Sequence, residues 1–142
     1  MIPLRAALLW LLTLGSALAG DIQTDPPGSP QRKPILDALR TTEPIQQLGS
    51  DWQSAIVFTP VTIRRSGDWA WVQASPATPN GRRNMEPLNS VMHKTHGAWT
   101  LVDFVSDEVA SADDPDIAFR KWQKEFLEAH SKCPREIFPA HF

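Results

Sequence analysis

Two glycine-centred turns, each between segments of alternating polarity, constrain this chain more than any other feature. Ser66-Gly67-Asp68-Trp69 is the two-residue connection of a β-hairpin, and His96-Gly97 is a second one about thirty residues on. Before the first turn, Ala55, Val57, Val61 and Ile63 share one face and Thr62 and Arg64 the other, the period of a half-buried strand. Pro60 has no N–H to give a central ladder, so it predicts an edge position or a bulge. Trp69 to Ser75 forms the returning strand, and closing the turn between 66 and 69 sets Arg64 opposite Trp71 and Ile63 opposite Val72.

The second hairpin runs from Leu88 to Thr95 and from Ala98 to Val105. Closure between 95 and 98 sets Lys94 opposite Trp99, Met92 opposite Leu101 and Ser90 opposite Asp103. Val91, His93, Val102 and Phe104 line the reverse face. Both faces carry apolar groups, so both are expected to be covered.

The flanks switch to helical spacing. Ser29-Pro30 resembles an N-cap followed by a first-turn proline, opening a helix from Gln31 to Arg40 with Ile35, Leu36 and Leu39 on one stripe. Pro34 allows a later start at Lys33. Ile45 and Leu48 extend the stripe past a break at Glu43-Pro44, ending at Gly49. Asp114-Pro115 caps a last helix with Phe119, Trp122, Phe126 and Ala129 at helical spacing, and Ile137-Phe138 pins an irregular tail. Asp25-Pro26-Pro27-Gly28 is too rich in proline for either regular structure and reads as an extended lead-in. The expected class is α+β: an N-terminal helix, an antiparallel sheet of about four strands in two hairpins, and a C-terminal helix.

Met1 to Ala19 has the form of an export signal: one early positive charge, Arg5, an apolar run from Ala6 to Leu14, and the small-x-small signal Ala17-Leu18-Ala19. The expected division is a signal peptide at 1–19, the lead-in at 20–28 and one domain at 29–142. The run is shorter than the roughly 20 apolar residues of a spanning helix, and Gly20 and Asp21 stand where a lipid-modified cysteine would be needed. The chain is thus expected to be soluble in the periplasm or secreted, with no stable membrane anchor.

Fourteen Lys+Arg face 16 Asp+Glu, a net charge of −2 without a basic stripe, which argues against nucleic acid as partner. Cys133 is the only cysteine, so no internal disulfide forms and packing must supply the stability.

The opening Gly28-Ser29-Pro30-Gln31-Arg32-Lys33 before Ile35 to Arg40, the Gly67-Asp68-Trp69-Ala70 hairpin, Gly97-Ala98-Trp99 and Ile137-Phe138-Pro139 resemble a group of small exported bacterial proteins of unassigned function. The resemblance implies a shared fold and export, and no chemistry. In architecture, a helix followed by an antiparallel meander is similar to the cystatin-like and ketosteroid-isomerase-like superfolds, whose curved sheet cups a pocket. The chain has no Tyr, so a tyrosine oxyanion hole is excluded.

No Gly-x-Ser-x-Gly elbow and no phosphate-binding glycine loop occurs. His93, His96, His130, Cys133 and His141 lack paired metal-ligand spacing, so neither a metal nor a cofactor is expected. Four residues remain as ligand-binding candidates: Trp69 and Trp71 on one strand face, Arg64 placed to stack on Trp71, and Asp103 on an otherwise apolar face with Trp99, Leu101 and Val105. Against a ligand role stands the simpler expectation that Phe119 and Trp122 cover the tryptophans and that Asp103 bonds Ser90. The expected role is non-catalytic binding of a small ligand or an envelope protein. One alternative is a small enzyme of the isomerase-like superfold with Asp103 as base. The other is an inhibitor or immunity-type protein docking through the loop Pro76 to Glu86.

Overall fold

The computed structural model describes residues 23–142, so the expected signal peptide at 1–19 lies outside the described residues. The chain is α+β with one antiparallel sheet, in the order β1 (Gln23–Thr24), β2 (Val57–Ser66), β3 (Trp69–Ala77), β4 (Leu88–Thr95), β5 (Ala98–Phe104). Helices α1 (Arg32–Arg40) and α2 (Glu43–Trp52) precede β2, while α3 (Asp107–Ala110), α4 (Pro115–Ala129) and a 3-10 turn (Arg135–Ile137) follow β5.

Both hairpins close in the expected register. Ser66 pairs with Trp69, Arg64 with Trp71 and Ile63 with Val72; Thr95 pairs with Ala98, Lys94 with Trp99 and Met92 with Leu101. Gly67 has φ +58°, and His96 and Gly97 have φ +51° and +80°, the left-handed backbone that matches the twist of the strands they join. The Trp99 indole N–H donates to Gln31 Oε1 at 3.1 Å, tying β5 to the start of α1.

Two bulges correct the expected faces. An extra residue at Thr59-Pro60 shifts the β2 register between Phe58 and Val61, so upstream of it Ile56 and Phe58, rather than Ala55 and Val57, enter the core. The strand begins at Val57, past the expected Ala55, and α2 runs on to Trp52, past the expected end at Gly49. In β5 the extra residue is Val102, and beyond it Asp103 faces Val91 while Ser90 faces Phe104. The expected Ser90–Asp103 pairing is therefore absent; the Ser90 hydroxyl donates to the Val72 carbonyl at 3.4 Å.

The helix starts also differ. Ser29 does not cap α1, and Gln31 precedes its first residue. Pro34, third in the helix, removes no intrahelical bond, because first-turn N–H groups have no partner four residues back within the helix. The Thr41 and Thr42 hydroxyls donate to the Ala38 and Leu39 carbonyls and close α1; α2 then starts at Glu43, with Pro44 in its first turn. Gly49 lies inside α2 instead of ending it. A side chain there would approach the Ser54 carbonyl to 3.2 Å, where the chain doubles back to enter β2.

Helices cover both faces of the sheet. On one, Ile35, Leu39 and Ile45 of α1 and α2 pack on Ile63, Val72, Met92 and Trp99. On the other, Phe119 and Phe126 of α4 and Ile137 and Phe138 of the tail pack on Trp71 and Val91. Fully burying a large apolar side chain stabilises by about 1.5 to 3 kcal/mol, and each layer holds several. The lead-in is joined to this body. Gln23 and Thr24 pair with Arg65 and Arg64, and Asp25 is buried against Arg65, with Nε–Oδ2 at 2.9 Å and Nη2–Oδ1 at 3.3 Å. No helix among the described residues is long and apolar enough to cross a membrane.

Candidate functional site

β3 projects Trp69 and Trp71 to the same side, toward α4, but the two do not share an environment. Trp71 is 2% exposed. Its ring lies 5.6 Å from Phe119, 5.6 Å from Phe138 and 6.5 Å from Trp122 by centroids, a packed aromatic cluster that leaves no room for a ligand. Arg64 pairs with Trp71 across the hairpin, yet its Nη2 donates to the Glu136 carbonyl at 3.0 Å and so anchors the 3-10 turn. The cation–π contact found among the described residues is elsewhere, with Arg40 5.3 Å above the Phe58 ring. Covering by Phe119 and Trp122 thus holds for Trp71, which is part of the core, and Arg64 is engaged by the 3-10 turn.

Trp69 is half-buried at the open end of the same face. Its cross-strand partner His93 stacks on it with centroids 3.9 Å apart and planes at 17°, and His130, at the C-terminal end of α4, approaches edge-on at 6.3 Å. His130 also leans on Phe126 at 4.5 Å. Because the Val102 bulge turns Asp103 toward α4, this exposed carboxylate lines an open cleft of about 220 Å³ with Trp122, Glu125, Phe126, Ala129 and His130. Two of the four candidates, Trp69 and Asp103, are therefore brought to one end of the molecule, joined through His130. The apolar neighbours expected for Asp103, Trp99 and Leu101, belong to the opposite layer. The cleft is smaller than the roughly 300 to 1,000 Å³ of small-molecule pockets, a size suited to a side chain of a partner. Among the described residues no group of three or more His, Cys, Asp or Glu is placed to hold a metal ion.

Cys133 is 5% exposed, next to Ile137 and Phe138. Burial, with a smaller contribution from the Glu136 carboxylate, pushes its thiol up to about 12. The folded state thus favours the neutral thiol. That stabilisation is fully present below the ordinary thiol value of about 8.5 and is lost as pH rises through about 12. Iodoacetamide at pH 8 should modify the folded protein at least on the order of a hundredfold more slowly than the urea-unfolded chain. Equal rates, or a disulfide-linked dimer on a non-reducing gel, would contradict the buried assignment.

Two further features lie elsewhere: the loop expected from Pro76 to Glu86, which starts later because Pro76 and Ala77 belong to β3, and a groove that no motif announced. The segment from Pro79 to Glu86 is exposed throughout but internally braced. The Thr78 amide donates to the Arg83 carbonyl at 2.9 Å and its hydroxyl to Asn80 Oδ1 at 2.7 Å; the amides of Arg82 and Arg83 donate to Asn80 Oδ1 and Thr78 Oγ1. The Asn80 and Thr78 side chains supply the bracing, a property of local turn chemistry that the composition of the loop hinted at.

The other feature is a groove of about 610 Å³ between the lead-in and α1, lined by Pro27, Gly28, Ser29, Pro30, Arg32, Lys33, Pro34, Leu36 and Arg40. Ser29 Oγ, on its wall, is the buried side-chain oxygen of the described residues that has no hydrogen-bond partner. Asp37 stands beside the groove. A hydrogen bond from Lys33 above all, together with the charges of Lys33 and Arg40, holds its carboxyl below the usual range although burial opposes this. No family model matches this chain, and no curated protein and no solved structure is significantly similar to it.

Proposed function

We propose that this is an exported, non-catalytic binding protein of the periplasm or cell envelope that receives a side chain of its partner at the open end of α4. The observation that carries the reading is the split of the tryptophan pair: Trp71 is consumed by the core, while Trp69 stays reachable, stacked on His93 beside the cleft of Asp103 and His130. A flat aromatic stack next to an exposed carboxylate suits recognition of a cationic or aromatic group. The enzyme reading loses its motive, because Asp103 is exposed on the rim of a shallow cleft and lacks the apolar enclosure that would make it a base. Export rests on the leader-like Met1 to Ala19.

A second reading, an inhibitor or immunity-type protein, is favoured by the braced loop. Its hydrogen bonds prepay part of the ordering cost of docking, and Arg82 and Arg83 at its tip would meet an acidic partner.

Photo-crosslinking residues placed at Trp69, at Arg83 and, as a control on the far helix, at Gln46 separate the readings in the host cell. An adduct of defined mass from position 69 alone, weakened when Asp103→Asn is added, is the expected result. An adduct from position 83 alone would replace the first reading with the second. Equal adducts at all three positions, or none, would remove both. Mass spectrometry of the accumulated protein should show a chain beginning at Gly20 or Asp21; an intact Met1 in the cytosol would remove the export claim.

A further inference from the structure

We propose that the groove between the Pro27–Pro30 segment and α1 is a binding site for a free aliphatic monocarboxylate, its apolar body along the proline wall and its carboxylate at Ser29 and Arg32. The site lies apart from the α4 cleft, with no lining residue in common.

The volume of about 610 Å³ is that of a small-molecule pocket. Its apolar surface comes from Pro27, Pro30, Pro34 and Leu36. The prolines have fixed φ, so this wall is already in its bound shape and costs little to order.

Three cationic side chains, Arg32, Lys33 and Arg40, stand around the groove against the single carboxylate of Asp37, whereas the chain as a whole is net negative. The local excess selects an anion. Arg40 is occupied by the Ile56 carbonyl and Asp37, but Arg32 spends only Nη1, on the Asp25 carbonyl at 3.2 Å, and its planar fork has further donors.

The buried Ser29 hydroxyl supplies a donor whose acceptor is not found among the described residues. Buried hydroxyls without a partner are costly, and rotation of this side chain toward the groove to meet an incoming carboxylate oxygen would relieve that cost. One guanidinium fork and one hydroxyl on a mainly apolar wall match a single carboxylate on a hydrocarbon chain. A phosphate would need more donors than these.

The test is calorimetric titration of the protein, purified from the compartment where it accumulates, with decanoate below its micellar concentration. Decanol, inorganic phosphate and phosphatidylglycerol vesicles serve as comparators, and amide NMR shifts locate the site. Decanoate is expected to bind at least tenfold more tightly than decanol, with shifts confined to residues 25–40, and phosphate to give no heat. Ser29→Ala breaks no bond present in the structure, and Lys33→Glu changes a side chain that is 83% exposed; each should weaken decanoate at least fivefold and leave decanol unchanged. No decanoate binding, equal affinity for decanol, or unchanged affinity in both variants would overturn the proposal. Tight phosphate binding would overturn the carboxylate assignment, and binding to vesicles without binding free decanoate would overturn the free acid as the source.

Discussion

Trp71→Ala is expected to lower unfolding stability by about 3 to 5 kcal/mol, while Trp69→Ala lowers it by less than about 1.5 kcal/mol. The two residues are the same type, on one strand and one face, so composition and propensity predict equal effects. What separates them is the other layer. Trp71 meets Phe119, Trp122 and Phe138, and deleting it opens a cavity under two chain segments that cannot both collapse into it. Trp69 is half-buried and loses chiefly its stack on His93, which solvent can replace. Urea unfolding followed by far-ultraviolet circular dichroism measures both, since removing one of the few tryptophans would shift fluorescence baselines. A loss at Trp69 equal to that at Trp71 would mean that α4 covers both rings, and the open end on which the proposed binding surface depends would not exist.

The hairpins were legible because their information is local. A two-residue turn with a left-handed position sets which residues pair, and pairing sets which side chains share a face, so the partners Arg64–Trp71 and Lys94–Trp99 follow from Gly67 and Gly97. The bulges were less so. Pro60 announces one through its missing N–H, but nothing in Leu101-Val102-Asp103 marks Val102 as the extra residue, and that residue decides whether Asp103 enters the core or meets solvent. Here a single inserted residue moved the most attractive candidate carboxylate from one layer to the other.

Arg64 departs from its expected stack on Trp71 for a different reason. Its partner is a backbone carbonyl at Glu136, and such long-range backbone acceptors have no sequence signature. Residues 25 to 34 show the same limit. Ser29-Pro30 has the composition of a helix cap, yet the helix starts two residues later and leaves the hydroxyl without a bond, because Asp25 is drawn to Arg65 and fixes where the preceding segment must lie.

That pair controls the N-terminal edge of the fold, and Asp25→Ala should show it. Asp25 is 5% exposed and the Arg65 side chain 17%, so removing the carboxylate takes one two-point contact from a largely desolvated guanidinium. The expected cost is about 3 kcal/mol, near the lower end for breaking a buried ion pair. Part of that is the penalty of holding a largely desolvated guanidinium without this carboxylate, so the double change Asp25→Leu with Arg65→Met should be less destabilised than Asp25→Ala alone, and a double-mutant cycle should give a coupling above about 1.5 kcal/mol. The loss should also be regional. The Asp25 amide donates to the Ile63 carbonyl at 3.3 Å and the Asp25 carbonyl accepts from Arg32, so freeing this residue releases β1 from β2 and the lead-in from α1. Limited proteolysis of Asp25→Ala should therefore cut first between Gln23 and Gln31 while the two hairpins stay protected. Cleavage spread evenly along the chain would show that the pair merely adds to global stability, and that the groove beside α1 keeps its shape without it.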